Sequence, residues 1–64
     1  MDIELTCYEV RHIGEHDWHK IPEKTVMERL VDRFDPVTPI IFRMLGGEEI
    51  IVSQEIYRVI NCKY

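Results

Sequence analysis

Residues 40–53 read Ile40-Ile-Phe-Arg-Met-Leu-Gly-Gly-Glu-Glu-Ile-Ile-Val-Ser53, with one apolar run on each side of two glycines. A two-glycine loop supplies the positive φ angles that a tight β-hairpin needs. The sequence therefore predicts a strand over residues 40–45, a turn at Gly46-Gly47, and a second strand over residues 48–53. Glu48 and Glu49 would stand at the tip of this hairpin.

The C-terminal segment after this hairpin also predicts β-structure. Residues 56–63 are rich in branched aliphatic and aromatic residues, which favour a strand. The joint at Gln54 and Glu55 lacks glycine, asparagine or proline, the residues typical of turns. Residues 48–63 are therefore interpreted either as two strands or as one long bent strand.

The N-terminal segment, residues 2–13, mixes apolar and polar positions at a period of two, which predicts a strand. The apolar positions lie on one face as far as Cys7 and then move to the other face at Tyr8 and Val10. Such a shift of phase indicates a β-bulge or a strand that is covered on both sides.

A helix is predicted in the middle of the chain, after a polar connection at residues 14–20. Pro22 suits the first turn of a helix, and Thr25 with Glu28 forms a capping-box pattern, so the helix begins at one of these two points. Apolar residues then recur along one stripe as far as Phe34, which predicts a short amphipathic helix. The residues of the stripe are Val26, Met27, Leu30, Val31 and Phe34.

Together these segments predict an α+β fold. The residue before each of Pro36 and Pro39 is pushed out of the helical region, so the helix ends there. We expect one short amphipathic helix packed on a small, mostly antiparallel sheet, in the order β-α-β-β or β-α-β-β-β. A chain of 64 residues without repeats or a Gly/Ser-rich linker is expected to form a single domain, residues 1–64.

The charge balance limits the function classes. Twelve acidic and eight basic residues give a net charge of −4, so this small acidic protein should not contact DNA or RNA directly. The apolar runs are too short to span a bilayer, and the N-terminus lacks the pattern of a signal peptide. We therefore expect a cytoplasmic protein without a membrane partner, in which Cys7 and Cys62 are reduced thiols.

All three histidines and the only tryptophan lie between residues 12 and 20. The spacing of the histidines, four and then three residues, would align them on one side of a helix, and Cys7 precedes them. Gly14 interrupts that helix, and the closely spaced cysteine pair of most zinc sites is missing. We therefore expect no metal and no cofactor, and a zinc-binding or thiol module is the third alternative. The histidines are His12, His16 and His19.

The sequence offers little for catalysis. Ser53 is the only serine, and none of the glycines makes the spacing of a phosphate-binding loop. Glu48 and Glu49 are adjacent and would point to opposite faces of a strand, which does not suit a general acid/base pair. We expect no enzyme activity and no catalytic residue.

Surface recognition is the remaining type of function. Trp18 lies in a polar loop and is the candidate anchor for another protein, because aromatic anchors rimmed by polar groups are typical of interfaces. The alternative is that Trp18 folds back over the end of the core. The hairpin tip is a second candidate surface, and its alternative is a solvated acidic turn. The candidate partner-binding residues are Glu15, Asp17, Trp18, Glu48 and Glu49.

Two main function classes follow. The first is a small protein-binding adaptor or regulator whose partner is another protein. The second is an acidic inhibitor of a nucleic-acid-processing enzyme, of the kind found among phage and mobile-element proteins, in which carboxylates imitate phosphates. Twelve acids against eight bases are few for a strong phosphate mimic, so the adaptor ranks first.

Overall fold

The fold is α+β, as the sequence predicts. The computed structural model describes residues 4–63, and it describes side-chain surroundings from residue 6 to residue 61. Over this part of the chain the order is strand, strand, helix, helix, strand, strand, so both predicted orders and the single helix are wrong. The elements are β1 (Glu4–His12), β2 (His19–Ile21), α1 (Glu23–Val31), α2 (Thr38–Leu45), β3 (Ile50–Val52) and β4 (Glu55–Lys63).

The sheet is antiparallel, with its strands in the order β2-β1-β4-β3. The predicted first strand is confirmed over β1, and its residues 2 and 3 lie outside the described residues. β1 pairs with β4 in an unbroken register from Glu4 opposite Lys63 to His12 opposite Glu55, so the predicted bulge is wrong. β2 lies partly inside the predicted polar connection and pairs with residues 8–10 of β1.

Residues 38–45 form a helix, so the predicted strand over residues 40–45 is wrong. A short apolar run fits a strand and a buried helix equally well by periodicity. Ile40 and Met44 are four residues apart and both buried, and Ile41 packs beside them, which is the spacing of a helical stripe. Pro39 stands in the first turn of α2, where its missing N–H is harmless. Burial on one side of the helix therefore outweighs the strand preference of the isoleucines.

The two glycines cap α2 and do not turn a hairpin. The Gly47 N–H donates to the Met44 carbonyl at 3.0 Å, and the Glu48 N–H donates to the Arg43 carbonyl at 3.0 Å. This pair of bonds is the Schellman motif, which places a left-handed residue just past the helix end. Gly47 is that residue, with a φ of 100°, whereas Gly46 has a φ of −81°. Only one of the two positive φ angles of the predicted turn is therefore present.

The hairpin turn lies at Ser53-Gln54, between β3 and β4. The φ angles of these residues are 50° and 66°, and Val52 pairs with Glu55. Two positive φ angles in a two-residue loop are the mark of a type I′ turn, which matches the twist of the flanking strands. The alternative of one bent strand over residues 48–63 is therefore wrong, while the predicted C-terminal strand is confirmed as β4.

The predicted amphipathic helix is confirmed as α1, with different ends. Pro22 is its N-cap residue, and Thr25 lies inside the helix, so the capping-box start at Thr25 is wrong. The helix ends at Val31, three residues before Phe34, which packs against the core from the following loop. Val26 and Leu30 are completely buried, so the stripe holds α1 against the sheet.

The core lies between the helices and one face of the sheet. Directly opposite residues of an antiparallel pair share a face. Tyr8 and Val10 of β1 are opposite Val59 and Tyr57 of β4, so all four face the helices. The buried cluster consists of Tyr8, Val10, Val26, Leu30, Ile40, Met44, Ile50, Val52 and Tyr57.

Cys7 is disulfide-bonded, so the prediction of a reduced thiol at this position is wrong. The sequence contains one other cysteine, Cys62, whose side chain lies outside the described residues. Over the backbone, Cys7 is opposite Ile60 and Cys62 is opposite Leu5, which places both cysteine positions on adjacent strands and on the same face of the sheet. No helix within residues 4–63 has the length and apolar character needed to cross a membrane.

Candidate binding surfaces

The face of the sheet that carries no helix holds the indole of Trp18. We call it the open face, and its strand residues with described side chains are Cys7, Glu9, Arg11, Lys20, Ile51, Ile56, Arg58 and Ile60. Trp18 ends the loop between β1 and β2, and its side chain is half-buried. The Arg58 Cζ atom lies 3.9 Å from the centroid of the indole, and the Arg11 Cζ atom lies 5.0 Å from it. Trp18 therefore folds back, but onto two guanidinium groups and not onto the main core.

An ion pair beneath the indole holds Arg58 in place. Arg58 is directly opposite Glu9 across the central strand pair. Its Nε donates to Glu9 Oε1 at 2.8 Å, and its Nη2 lies 2.7 Å from the same oxygen. The Glu9 side chain is only 12% exposed, so this pair is partly shielded from solvent and stronger than an ordinary surface pair.

Arg11 orders the loop that carries the indole. Its Nη1 donates to the backbone carbonyl of Glu15 at 2.8 Å and, more weakly, to that of His12 at 3.4 Å. Arg11 has no carboxylate partner within 4 Å among the described side chains, so its charge is not neutralised by an ion pair. Neither Arg11 nor Arg58 was predicted from the sequence to be a functional residue. The alternation around Val10 gave one signal, since Glu9 and Arg11 must share the face opposite the core.

The structure separates the predicted partner-binding residues into two groups. Glu15 and Asp17 are exposed in the Trp18 loop, and Glu15 Oε2 lies 3.8 Å from His19 Nε2. Glu48 and Glu49 are exposed between α2 and β3, and Glu48 Oε2 accepts a hydrogen bond from Arg43 Nε at 2.6 Å. No hydrogen bond or ion pair joins the two groups among the described side chains.

The histidines do not lie along one side of a helix. They belong to the end of β1, the following loop and the start of β2. The nearest carboxylate to His12 is Glu55, with Nε2 and Oε2 separated by 3.9 Å. Within the part of the chain whose side chains are described, no three His, Cys, Asp or Glu side chains are grouped in a way that suits a metal ion.

A polar cleft of about 280 Å³ lies between α1 and the β3–β4 hairpin. The buried Tyr57 is among its lining residues, and the Tyr57 hydroxyl donates to Glu55 Oε1 at 3.1 Å and accepts from Arg29 Nη1 at 3.3 Å. Burial raises the pKa of Tyr57, and the hydrogen bond from Arg29 opposes that rise. Arg33 donates to Ser53 Oγ at 3.2 Å at the rim. The hydrogen bonds of the cleft tie α1 to the hairpin.

A second cleft, of about 360 Å³, lies beside Cys7, between β1, β2 and the start of α1. Tyr8, Ile21, Pro22 and Glu23 contribute to its lining. Burial and, to a smaller extent, the negative charge of Glu23 raise the pKa of Tyr8, so this hydroxyl stays protonated at neutral pH.

The outer side of α2 is apolar and exposed. Phe42 is 67% exposed and Leu45 is 50% exposed. They are three residues apart on a helix and therefore neighbours on its surface. Arg43 is the only charged residue of α2, and it is paired with Glu48. This surface was not predicted from the sequence, because residues 40–45 were expected to form a strand.

No protein-family model, curated protein or solved structure matches this chain.

Proposed function

We propose that the chain is a small protein-binding regulator without enzyme activity, and that it docks on its partner protein through the outer side of α2. The exposure of Phe42 and Leu45 side by side on this helix carries the proposal. A short amphipathic helix that presents apolar anchors three or four residues apart is a common way to fill an apolar groove on another protein.

The energy available at this surface suits an interface anchor. Complete burial of a phenylalanine side chain contributes about 1.5–3 kcal/mol. Because Phe42 is 67% exposed, a partner would gain about 1–2 kcal/mol from covering its remaining surface, and Leu45, which is 50% exposed, would add about three quarters as much. The one charge on α2 is already paired with Glu48 at 2.6 Å, so docking does not bury an unpaired charge.

Trp18 is a poorer anchor than the sequence suggests. Its indole already lies 3.9 Å from the Arg58 guanidinium, so part of its surface is used within the chain. Interface hot spots are side chains that become desolvated only in the complex. The aromatic anchor of the proposed interface is therefore Phe42.

The acidic phosphate mimic ranks second. Three carboxylates that would serve it are paired with arginines of the same chain: Glu9 with Arg58, Glu48 with Arg43, and Glu55 with Arg29. Each pair weakens the negative field that a basic groove would recognise.

Quantitative capture from native cells compares the wild-type protein with two matched variants. Phe42→Ser removes the proposed anchor, and Val31→Ser removes a valine that is 49% exposed at the end of α1. We expect Phe42→Ser to weaken capture of the main partner roughly tenfold and Val31→Ser to leave it unchanged, with both variants folded by circular dichroism. Equal capture by Phe42→Ser and wild type would contradict the proposal.

Salt dependence separates the two function classes. Docking through α2 should hold as NaCl rises from about 0.1 M to about 0.5 M, because it depends on apolar burial. A phosphate mimic should lose its partner over the same range, and the Glu48→Lys/Glu49→Lys variant should lose it at low salt. If binding falls steeply with salt and the Glu48→Lys/Glu49→Lys variant fails to bind, the acidic-inhibitor function would be favoured over docking through α2.

A further inference from the structure

The strand positions of the open face carry a surplus of positive charge, although the protein is acidic. Its described side chains include three bases, Arg11, Lys20 and Arg58, and one acid, Glu9. Three positive charges and one negative charge sum to +2, whereas the whole chain has a net charge of −4. The rest of the chain, including Glu15 and Asp17 of the Trp18 loop, therefore carries −6, so the positive surplus is confined to the strand positions of the open face.

Neither of the two surplus charges forms an ion pair with a side chain of residues 6–61. Arg58 is neutralised by Glu9, with nitrogen and oxygen 2.7 Å apart. Arg11 and Lys20 have no carboxylate within 4 Å among the described side chains. Arg11 is nevertheless held in position, because its guanidinium donates to the Glu15 carbonyl and lies against the Trp18 indole. A cation whose position is already ordered loses little conformational entropy on binding an anion.

Apolar side chains stand among these charges. Ile51 is 62% exposed, and Ile60 is half-buried. Ile56 lies between Arg11 and Ile51 on the same face and is only 8% exposed, although it is outside the main buried cluster. The open face thus offers aliphatic contacts next to two unpaired positive charges.

We propose that the open face is a docking surface for an acidic protein segment that also carries aliphatic side chains. The carboxylates of such a segment would meet Arg11 and Lys20, and its aliphatic groups would meet Ile51 and Ile60. Charge complementarity and apolar burial then act together, which is the usual composition of a protein interface.

A nucleic acid fits this surface less well. A phosphate backbone has no aliphatic groups to cover Ile51, and the Trp18 ring is already in contact with the guanidinium groups of Arg11 and Arg58. The remaining charge of −6 would also repel a polyanion that extends beyond the open face.

This surface is independent of the one proposed on α2. The buried residues of α2 belong to the cluster on the helix-bearing side of the sheet, so the two surfaces lie on opposite sides of the sheet. A segment on the open face and a groove over Phe42 would not overlap. The chain would then join two partners, as an adaptor does.

The test uses a synthetic peptide that alternates glutamate and valine, added to the ¹⁵N-labelled full chain. We expect the indole signal of Trp18 and the amide signals of Arg11, Lys20 and Arg58 to shift, while those of α2 stay in place. A matched peptide with glutamine in place of glutamate should bind at least about threefold more weakly. Equal binding of the two peptides, shifts confined to α2, or no binding would each overturn the proposal.

Charge variants assign the effect to the open face. Lys20→Gln removes an exposed charge that has no ion-pair partner among the described side chains, and we expect it to weaken binding about threefold. Arg11→Gln should weaken binding by a similar factor, whereas Arg11→Lys should retain most of the affinity. Lys24→Gln makes the same change of net charge on exposed α1 surface and should have no effect. Equal weakening by Lys24→Gln, or tighter binding of an oligothymidylate than of the acidic peptide, would overturn the proposal.

Discussion

Two glycine substitutions distinguish a capped helix from a hairpin at residues 46–47. Gly47 has a φ of 100°, so Gly47→Ala places a Cβ atom on left-handed backbone, which costs about 1 kcal/mol. No atom lies within 4 Å of that added Cβ, so the cost comes from the backbone alone. Gly46 has a φ of −81°, and its added Cβ would meet the Arg43 carbonyl oxygen at 3.4 Å, an ordinary contact.

Gly46→Ala should therefore be neutral or stabilising. Replacing glycine by alanine at a compatible φ stabilises a protein by about 0.4–1 kcal/mol, because the unfolded chain loses freedom. The free energies of unfolding of the two variants should differ by about 1–2 kcal/mol. For a chain of this size, 1 kcal/mol shifts Tm by about 4–8 °C, which thermal circular dichroism resolves easily.

Gly47→Asn is the control, because asparagine adopts left-handed backbone at a lower cost than alanine. It should recover part of the loss seen in Gly47→Ala. A type I′ hairpin needs positive φ at both positions, so it would be destabilised at both glycines by similar amounts. Equal losses at the two positions would refute the helix cap and restore the hairpin.

Three further changes test other parts of the fold. Gln54→Gly removes the cost of holding a side-chain-bearing residue at a positive φ in the β3–β4 turn, so the free energy of unfolding in urea titration should rise by about 0.5–1 kcal/mol. A decrease would contradict the type I′ turn. Tyr57→Phe removes the hydroxyl that bonds Arg29 and Glu55 and should cost about 1 kcal/mol at pH 7. Burial raises the pKa of Tyr57, so the stabilising effect of the Tyr57 hydroxyl is complete below the pKa of an unfolded tyrosine, about 10. This effect is lost as the pH rises further. The free energies of unfolding of wild type and Tyr57→Phe should therefore converge in alkaline solution. Parallel stability curves would exclude that linkage. Reduction by dithiothreitol should lower the free energy of unfolding of the wild type by about 2–4 kcal/mol, because it opens the Cys7 disulfide. The free energy of unfolding of Cys7→Ser should not change. If the wild-type value also stays the same, the Cys7 disulfide does not stabilise the fold.

Local patterns were enough to predict the strands β1 and β4 and the helix α1. Alternation indicates β1, the branched and aromatic residues indicate β4, and an apolar stripe that follows Pro22 indicates α1. The α+β class follows from these three elements. The acidic net charge can be calculated without knowledge of the fold, because it is a sum over side chains.

The helix α2 shows why a strong local pattern still failed. Its apolar run fits either period, and the glycines after it serve equally as a hairpin turn or as a helix cap. The spacing of Val37, Ile40, Ile41 and Met44, with Pro39 in the first turn, contained the helical signal. What selects the helix is the burial of Ile40 and Met44 in a core that exists only once β1 and β4 have paired.

Both candidate surfaces arise from contacts between distant parts of the chain. Glu9 and Arg58 are 49 residues apart in sequence and meet only through the β1–β4 register. That register also brings the guanidinium of Arg58 under the Trp18 indole, so the sequence showed the tryptophan but not what covers it. Phe42 is exposed because α2 buries Ile40 and Met44 instead. The sequence by itself specifies which residues are apolar or charged and with what period. Which of these residues meet is decided by strand register and helix rotation, and both depend on packing across the whole core.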